Sequence, residues 1–376
     1  MAFIRKFTKR IVIIANIGVV LLFLLACANS FIHPDTWWFI TLLGLFFPLL
    51  LLLVIGFFIF WLFFYSRRLS LISLIALIIG WANIHAFLSF SFPGRYKTEK
   101  PANTIRILTW NVRRWDDFTT RKPGTSGHRP LMMQFVREQN ADILCFQEFY
   151  EWHGGKENES NIAFIQNELH YPYYFFSKDY RSGNGKYETG VIIFSRFPIT
   201  NTTQIRYNID STKASESLIC ADLDIHGQSI RVCTTHLQSV LFRSKDFRDV
   251  EIIQNVEDSM LEASKSIIKK LKRAFTLRGR QADVVRKALD ESPVPVVMCG
   301  DFNDVPNSYT YFRIRGNRQD AYLKKGFGIG RTYIHLSPTL RIDYILPDER
   351  FKVTQCRKFP LPYSDHHPVI ADMQLQ

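Results

Sequence analysis

Three long apolar stretches within the first 92 residues constrain this chain more than any other feature. Ile11–Ile32, Trp37–Tyr65 and Leu69–Phe92 each reach the roughly 20 helical residues that a bilayer core requires, and the excess in the 47% hydrophobic fraction is concentrated there. Three transmembrane helices are therefore expected. The first shares features with a signal peptide, because Arg5, Lys6, Lys9 and Arg10 precede it and Ala26-Cys27-Ala28 is made of small residues; Leu25-Ala26-Cys27 also has the form of a lipoprotein signal. Its length and the two stretches that follow argue for a span. Basic residues lie before the first stretch and at Arg67-Arg68 between the second and third, while His33-Pro34-Asp35 has none. This places the amino terminus in the cytoplasm of an integral inner or cell-membrane protein, with the hydrophilic remainder facing the periplasm or exterior. Arg95, Lys97 and Lys100 weigh against this orientation without reversing it.

A short polar linker, Arg95–Asn103, should hold the rest of the chain close to the lipid surface. Beyond it the pattern is rich in strands: Ile105–Trp110, Asp142–Phe146, Val191–Phe194, Leu218–Ile225, Ile230–Thr234, Val294–Met298, Ile342–Leu346 and Pro368–Met373. Pro130–Glu138 and Glu257–Leu289 have helical spacing, and Ile267, Ile268, Leu271 and Phe275 share a face suited to core packing. The expected fold is a layered α+β sandwich over residues 104–376, with two sheets face to face and helices outside. Of the formal net charge of +13, 41 basic minus 33 acidic residues leave +8 beyond residue 92, which suits an anionic partner or the anionic face of a membrane, although a solvated surface gives the same count. Six cysteines without C-x-x-C or zinc-finger spacing read as buried thiols and argue against a zinc site.

Chemistry gathers after the strands. Asn111, Glu148, His236, Asp301 with Asn303, and Asp365-His366 each directly follow or precede an apolar run, and Cys299–Pro306 (C-G-D-F-N-D-V-P) is the densest case. An Asx turn accounts for Gly300–Asn303 taken alone. Pooled at one rim of a sandwich, however, these residues supply carboxylates, carboxamides and imidazoles, the inventory needed to hold a hard cation, orient water and neutralise a phosphorane.

In order, N-V-R-R at Asn111, Q-E at Glu148, T-H-L at His236, G-D-F-N at Asp301, R-I-D-Y at Asp343 and S-D-H-H-P at Asp365 resemble the motifs of the endonuclease/exonuclease/phosphatase superfamily. That superfamily includes deoxyribonuclease I-like nucleases, inositol polyphosphate phosphatases and bacterial sphingomyelinases. The resemblance implies a four-layered α/β/β/α sandwich and a phosphoesterase using Mg2+, with Mn2+ as the alternative. Glu148, helped by Asn111 and with Asp365 nearby, would bind the metal. Asp301 and Asn303 would position and deprotonate water, His366 oriented by Asp343 would stabilise the phosphorane or act as acid/base, and His236 would contact a nonbridging oxygen. Glu188, in Y-E-T-G, resembles the carboxylate paired with that histidine. The substrate would be a phosphoester in nucleic acid, phospholipid or inositol phosphate. Trp110, Trp115, Phe149, Tyr150 and Trp152 offer base stacking or packing. The alternative is a noncatalytic membrane receptor or scaffold for phosphorylated ligands.

Overall fold

The structure, a computed structural model, describes residues 2–92, 94, 96–116, 127–154, 160–207, 216–240 and 260–376. Among these, α1 (Ala2–Ala28), α2 (Pro34–Leu45), α3 (Phe47–Phe60, prolonged by a wider turn over Trp61–Tyr65), α4 (Arg67–Ile79) and α5 (Trp81–Phe87) open the chain. The sandwich follows as β1 (Ile105–Asn111), α6 (Arg129–Gln139), β2 (Ile143–Trp152), α7 (Asn161–Asn167), β3 (Tyr173–Phe176), β4 (Tyr180–Arg181), β5 (Tyr187–Ser195), β6 (Ile199–Ile205), β7 (Glu216–Ile225) and β8 (Gln228–His236). It closes with α8 (Met260–Asp290), β9 (Val296–Asp301), α9 (Tyr309–Arg315), α10 (Ala321–Lys325), β10 (Asp343–Pro347), β11 (Phe351–Lys358) and β12 (Val369–Leu375).

Strand alternation builds the layers. In β1, Ile105 and Ile107 point between the sheets while Leu108 and Trp110 point outward, and in β2 Ile143 and Cys145 oppose Leu144 and Phe146 in the same way. Both faces are buried, so these strands read as continuous apolar runs. One sheet runs β11-β12-β1-β2-β5-β3, with β4 on β5, and the other β10-β9-β8-β7-β6. Helix α6 covers the outer face of the first sheet through Met132, Met133 and Val136; α8 and α9 cover the second through Ala282, Val285, Leu289, Tyr311 and Ile314. The expected α+β sandwich is present, with β3, β4, β6 and β11 added to the strands expected from sequence.

The spans are met in part, and the reading of the cysteines needs correction. Of the three spans, two helices are long and apolar enough to cross a membrane, Lys6–Ala28 and Phe47–Tyr65, while the third stretch is a pair, Arg67–Ile79 and Trp81–Phe87, bent by 64°. The second stretch breaks at Phe46, because Pro48 is seated in the first turn of a new helix, and its leading part belongs to α2. Cys220 and Cys233 are not thiols: they face each other across β7 and β8 and form a disulfide, while Cys27, Cys145, Cys299 and Cys356 are free and buried. The linker is held against the sandwich. Tyr96 packs edge-on against Phe359 at 5.2 Å, the Lys97 N–H donates to Gln355 at 3.1 Å, and Lys100 Nζ lies 2.6 Å from Asp142; Pro93 and Arg95 lie outside the described residues.

The apolar helices are clamped to the sandwich at two places. Asn29 Nδ2 donates to Asn307 O (3.3 Å), Asn307 Nδ2 donates to Gly44 O (3.2 Å), and Arg280 meets Asp35 at 2.7 Å. After α5, Ser89 exchanges two backbone hydrogen bonds of 2.9 Å with Gly328, and buried Arg341 donates to Ala86 O at 2.6 Å. At the far end of the bundle Lys9 lies over the Tyr65 ring, 4.9 Å from its centroid.

Candidate active site

Each sheet carries one parallel pair near its middle, β1–β2 and β8–β9, and parallel strands deliver their carboxyl ends to the same edge. Asn111 ends β1, His236 ends β8 and Asp301 ends β9. Antiparallel β10 and β12 begin at that edge, bringing Asp343 and, three residues before Val369, His366. The register puts His236, Asp301 and Asp343 on one rung. Glu148 reaches the rim by an irregularity: the β2–β5 register shifts between Phe146 and Phe149, and Glu148 adopts φ 48°. Gly300 is required for the same reason of space. Its φ is 134°, and a Cβ there would sit 2.3 Å from Thr235 O.

Asp301 is the hub. Its Oδ2 accepts from Asn111 Nδ2 at 3.1 Å and lies 3.6 Å from His366 Nε2 and 3.7 Å from His236 Nε2; its Oδ1 accepts from the Asn303 N–H at 2.8 Å. His366 is held from behind, with Nδ1 at 2.9 and 3.1 Å from the two Asp343 oxygens. Trp110 Nε1 donates to His366 O at 2.8 Å, and Ser364 Oγ, which accepts from the His366 N–H, donates to Asn111 O, also at 2.8 Å. On the other side Glu148 Oε1 accepts from Asn111 Nδ2 at 3.1 Å and lies 3.9 Å from His236 Nε2. Asn303 Nδ2 donates to Leu237 O at 3.0 Å, and Arg113 Nε is 3.7 Å from Asp365. Glu148, His236, Asp301, Asn303, Asp365 and His366 all line one cavity of about 680 Å3.

The charges follow from burial and neighbours. Burial pushes the Asp301 carboxyl up; the adjacent His366 and His236 rings oppose that, while Asp343 adds to it. For His236 burial disfavours the cation, but Glu216, Asp301 and Glu148 outweigh it and raise the ring to about 9. His366 is likewise held well above the usual imidazole range, because Asp343 and Asp301 overcome its burial. The neighbouring carboxylates thus favour the protonated form of both rings that face the cavity.

The structure moves one expected residue away. Glu188 is not the partner of His236: it pairs with His153 Nε2 at 3.0 Å and Lys178 Nζ at 3.4 Å, on the β5 side of the first sheet. The carboxylate beside His236 is Glu216, with Oε2 at 3.4 Å from Nδ1, and the same oxygen accepts from the Glu148 N–H at 3.0 Å. A signal existed in the sequence. Counting back through the tight turn at His226-Gly227 places His236 opposite the start of β7, one residue from Glu216 before the bulge. Arg113, Arg278 and Tyr333 also line the cavity, Tyr333 with its ring 5.0 Å from that of His366. Of the aromatics offered for base stacking, Trp110, Trp115 and Phe149 are fully enclosed and Tyr150 nearly so; they fill the core under the rim.

The donor set fits a hard divalent cation. Asp301, Asp343 and His366 offer ligand atoms within 4.8 Å of one another, but both Asp343 oxygens already serve His366. Glu148, Asp301 and Asp365 remain as oxygen donors, and a buried acid pushed upward in pKa is one that a dication would relieve. Asn111 as placed turns its amide nitrogen to both acids and its Oδ1 to the Arg113 N–H (3.0 Å), so it ties the acids together.

Known proteins share the architecture of the chain. The human Nocturnin catalytic domain with bound sulfate is 17% identical, with 74% of this chain and 97% of that one covered and a TM-score of 0.51. A humanised D. rerio TDP2 is 15% identical, covering 73% and 100%, at 0.50; D. rerio TDP2 complexed with a single-strand DNA product is 14% identical, covering 72% and 99%, at 0.48. At these identities the first two establish the fold alone. No curated protein matches the chain. Residues 9–87 match a separate domain of unknown function, so the apolar helices form a recurring unit. Residues 108–366 match the Endonuclease/Exonuclease/phosphatase family over more than half of the chain, and the protein belongs to that family.

Proposed function

We propose that this protein is a membrane-anchored, divalent-metal-dependent phosphoesterase that hydrolyses phosphodiester or phosphomonoester bonds. The observation that carries the reading is Asp301, held in one cavity between His236, His366 and the Asn111 amide. Asp301, steadied by the Asn303 N–H, takes a proton from water as the water oxygen bonds to phosphorus. His366, fixed by Asp343, gives its Nε2 proton to the leaving oxygen as the P–O bond breaks. His236, kept cationic by Glu216, hydrogen-bonds a nonbridging oxygen. Glu148 and Asp365 would hold Mg2+ or Mn2+, which supplies Lewis-acid stabilisation of the phosphoryl oxygens. The test is hydrolysis of bis(p-nitrophenyl) phosphate by the full chain in detergent. Turnover should need Mg2+ or Mn2+, stop with chelator and vanish in both Asp301→Ala and His366→Ala; undiminished turnover in either variant sinks the reading.

The anchor in this proposal makes three passes. Lys9 and Tyr65 meet at one end of the bundle, while residues 29–46 and 86–89 meet the sandwich at the other, which supports counting the bent pair α4–α5 as the return pass. The amino terminus and the catalytic domain then lie on opposite sides. The Cys220–Cys233 disulfide supports an oxidising, external location for the domain. Protease added to sealed right-side-out vesicles should remove the sandwich, and complete protection would reverse the orientation.

A further inference from the structure

The active-site cavity also has an apolar share. Besides Glu148, Asp301 and His366 its wall includes Leu45, Leu271, Phe275, Val305, Leu336 and Leu340. Phosphate chemistry makes no use of that share, and a cavity of about 680 Å3 has room for far more than a phosphate group. Leu45 is the informative member. It is the last residue of α2, outside the sandwich, and it reaches the cavity because Gly44 O accepts from Asn307 and Asn29 is tied to the same residue. Immediately after it Phe46 and Leu49 are 56% and 54% exposed and start the apolar span Phe47–Tyr65. The cavity lining and the candidate span are thus adjacent in the chain, Leu45 belonging to the one and Phe47 opening the other. Leu336, also in the lining, is 44% exposed.

Resting on the phosphoesterase reading, we infer that the substrate is a membrane amphiphile, a phosphoester bearing a hydrocarbon chain. Its phosphate sits among Asp301, His236 and His366 while the chain lies along Leu45, Leu271 and Phe275 and leaves the cavity toward α3. The anchor is then part of the specificity site as well as a tether.

The experiment uses the full chain in detergent with Mg2+ and a series of p-nitrophenyl alkyl phosphates, from butyl through hexyl and octyl to decyl, beside bis(p-nitrophenyl) phosphate and a single-stranded oligonucleotide. The inference expects kcat/KM to rise by about tenfold or more along the alkyl series, because each methylene leaves water for the apolar wall. Leu45→Asp, and independently the more exposed Leu336→Asp, should flatten that rise, lowering the decyl-to-butyl ratio by about tenfold. A rate indifferent to chain length, or an oligonucleotide that outcompetes the decyl ester, overturns the inference while leaving the phosphoesterase reading intact. Failure to cleave any ester, the bis(p-nitrophenyl) compound included, removes the reading itself.

Discussion

In the sandwich Trp110 and Trp115 are wholly enclosed, whereas in the N-terminal helices Phe63 and Phe64 are 74% and 76% exposed, as are Ile14 at 69% and Leu52 at 67%. The difference extends to polar atoms. The sandwich buries Asp301, Asp343, His236 and His366 around a cavity, each ringed by partners. The helices bury a few neutral groups that lock one helix to another: Ser73 Oγ donates to Asn16 Oδ1 at 3.0 Å and Asn83 Nδ2 to Cys27 O at 3.3 Å. One half is organised against water; the other, in the proposed anchor, faces hydrocarbon, where exposed apolar side chains cost nothing and internal polar bonds set register. The lesson is that burial means different things in the two halves, and a substitution should be judged by the solvent its side chain faces.

Four outcomes would sharpen or break this contrast. The largest effect is expected at the hub of the sandwich: Asp301→Asn, nearly isosteric, should lower phosphodiester turnover by about a thousandfold or more with the melting curve preserved. Loss of fold with loss of activity would mean that the acid is structural. Next, Leu52→Lys should weaken insertion of the helices by about 3 kcal/mol, seen as extraction into alkaline carbonate. Tyr173→Lys, at a 39% exposed position of β3, should shift sandwich stability by about 0.5 kcal/mol at most. Equal tolerance at both sites would abolish the distinction. Third, Glu216→Gln should lower kcat/KM by about tenfold to a hundredfold through His236, whereas Glu188→Gln should stay within about twofold; the reverse ranking would restore Glu188 as the partner. Smallest is Arg280→Ala, which removes an exposed pair with Asp35 between the two halves and should cost about 0.2–1 kcal/mol, less at high salt.

Much of this was legible in the sequence because strand alternation and strand ends are local signals. The apolar run before Gly300 announced β9, and residues such as Asn111, His236 and Asp301 stood where such runs stop. What stayed hidden depends on pairing between segments. Glu216 acquires its role only through the β7–β8 register, and the disulfide exists because the same hairpin sets Cys220 opposite Cys233. Hydropathy alone read Trp37–Tyr65 as continuous, since it does not weigh the break at Phe46-Phe47-Pro48 against the contacts α2 makes with the sandwich. Leu45 looked like one more leucine in an apolar run until the fold placed it in the cavity wall.

The double attachment of the bundle, at Gly44–Asn307 and at Ser89–Gly328, has a mechanical consequence. A body held at one point swivels, but a body held at two keeps its height and its heading. Inserting a long flexible spacer at Gly94 should therefore leave the mouth of the cleft at the same elevation, because Gly44 and Ser89 both precede it and both clamps are untouched. This protein is built less like a balloon on a string than like a drawer fixed to its frame, opening in a single direction.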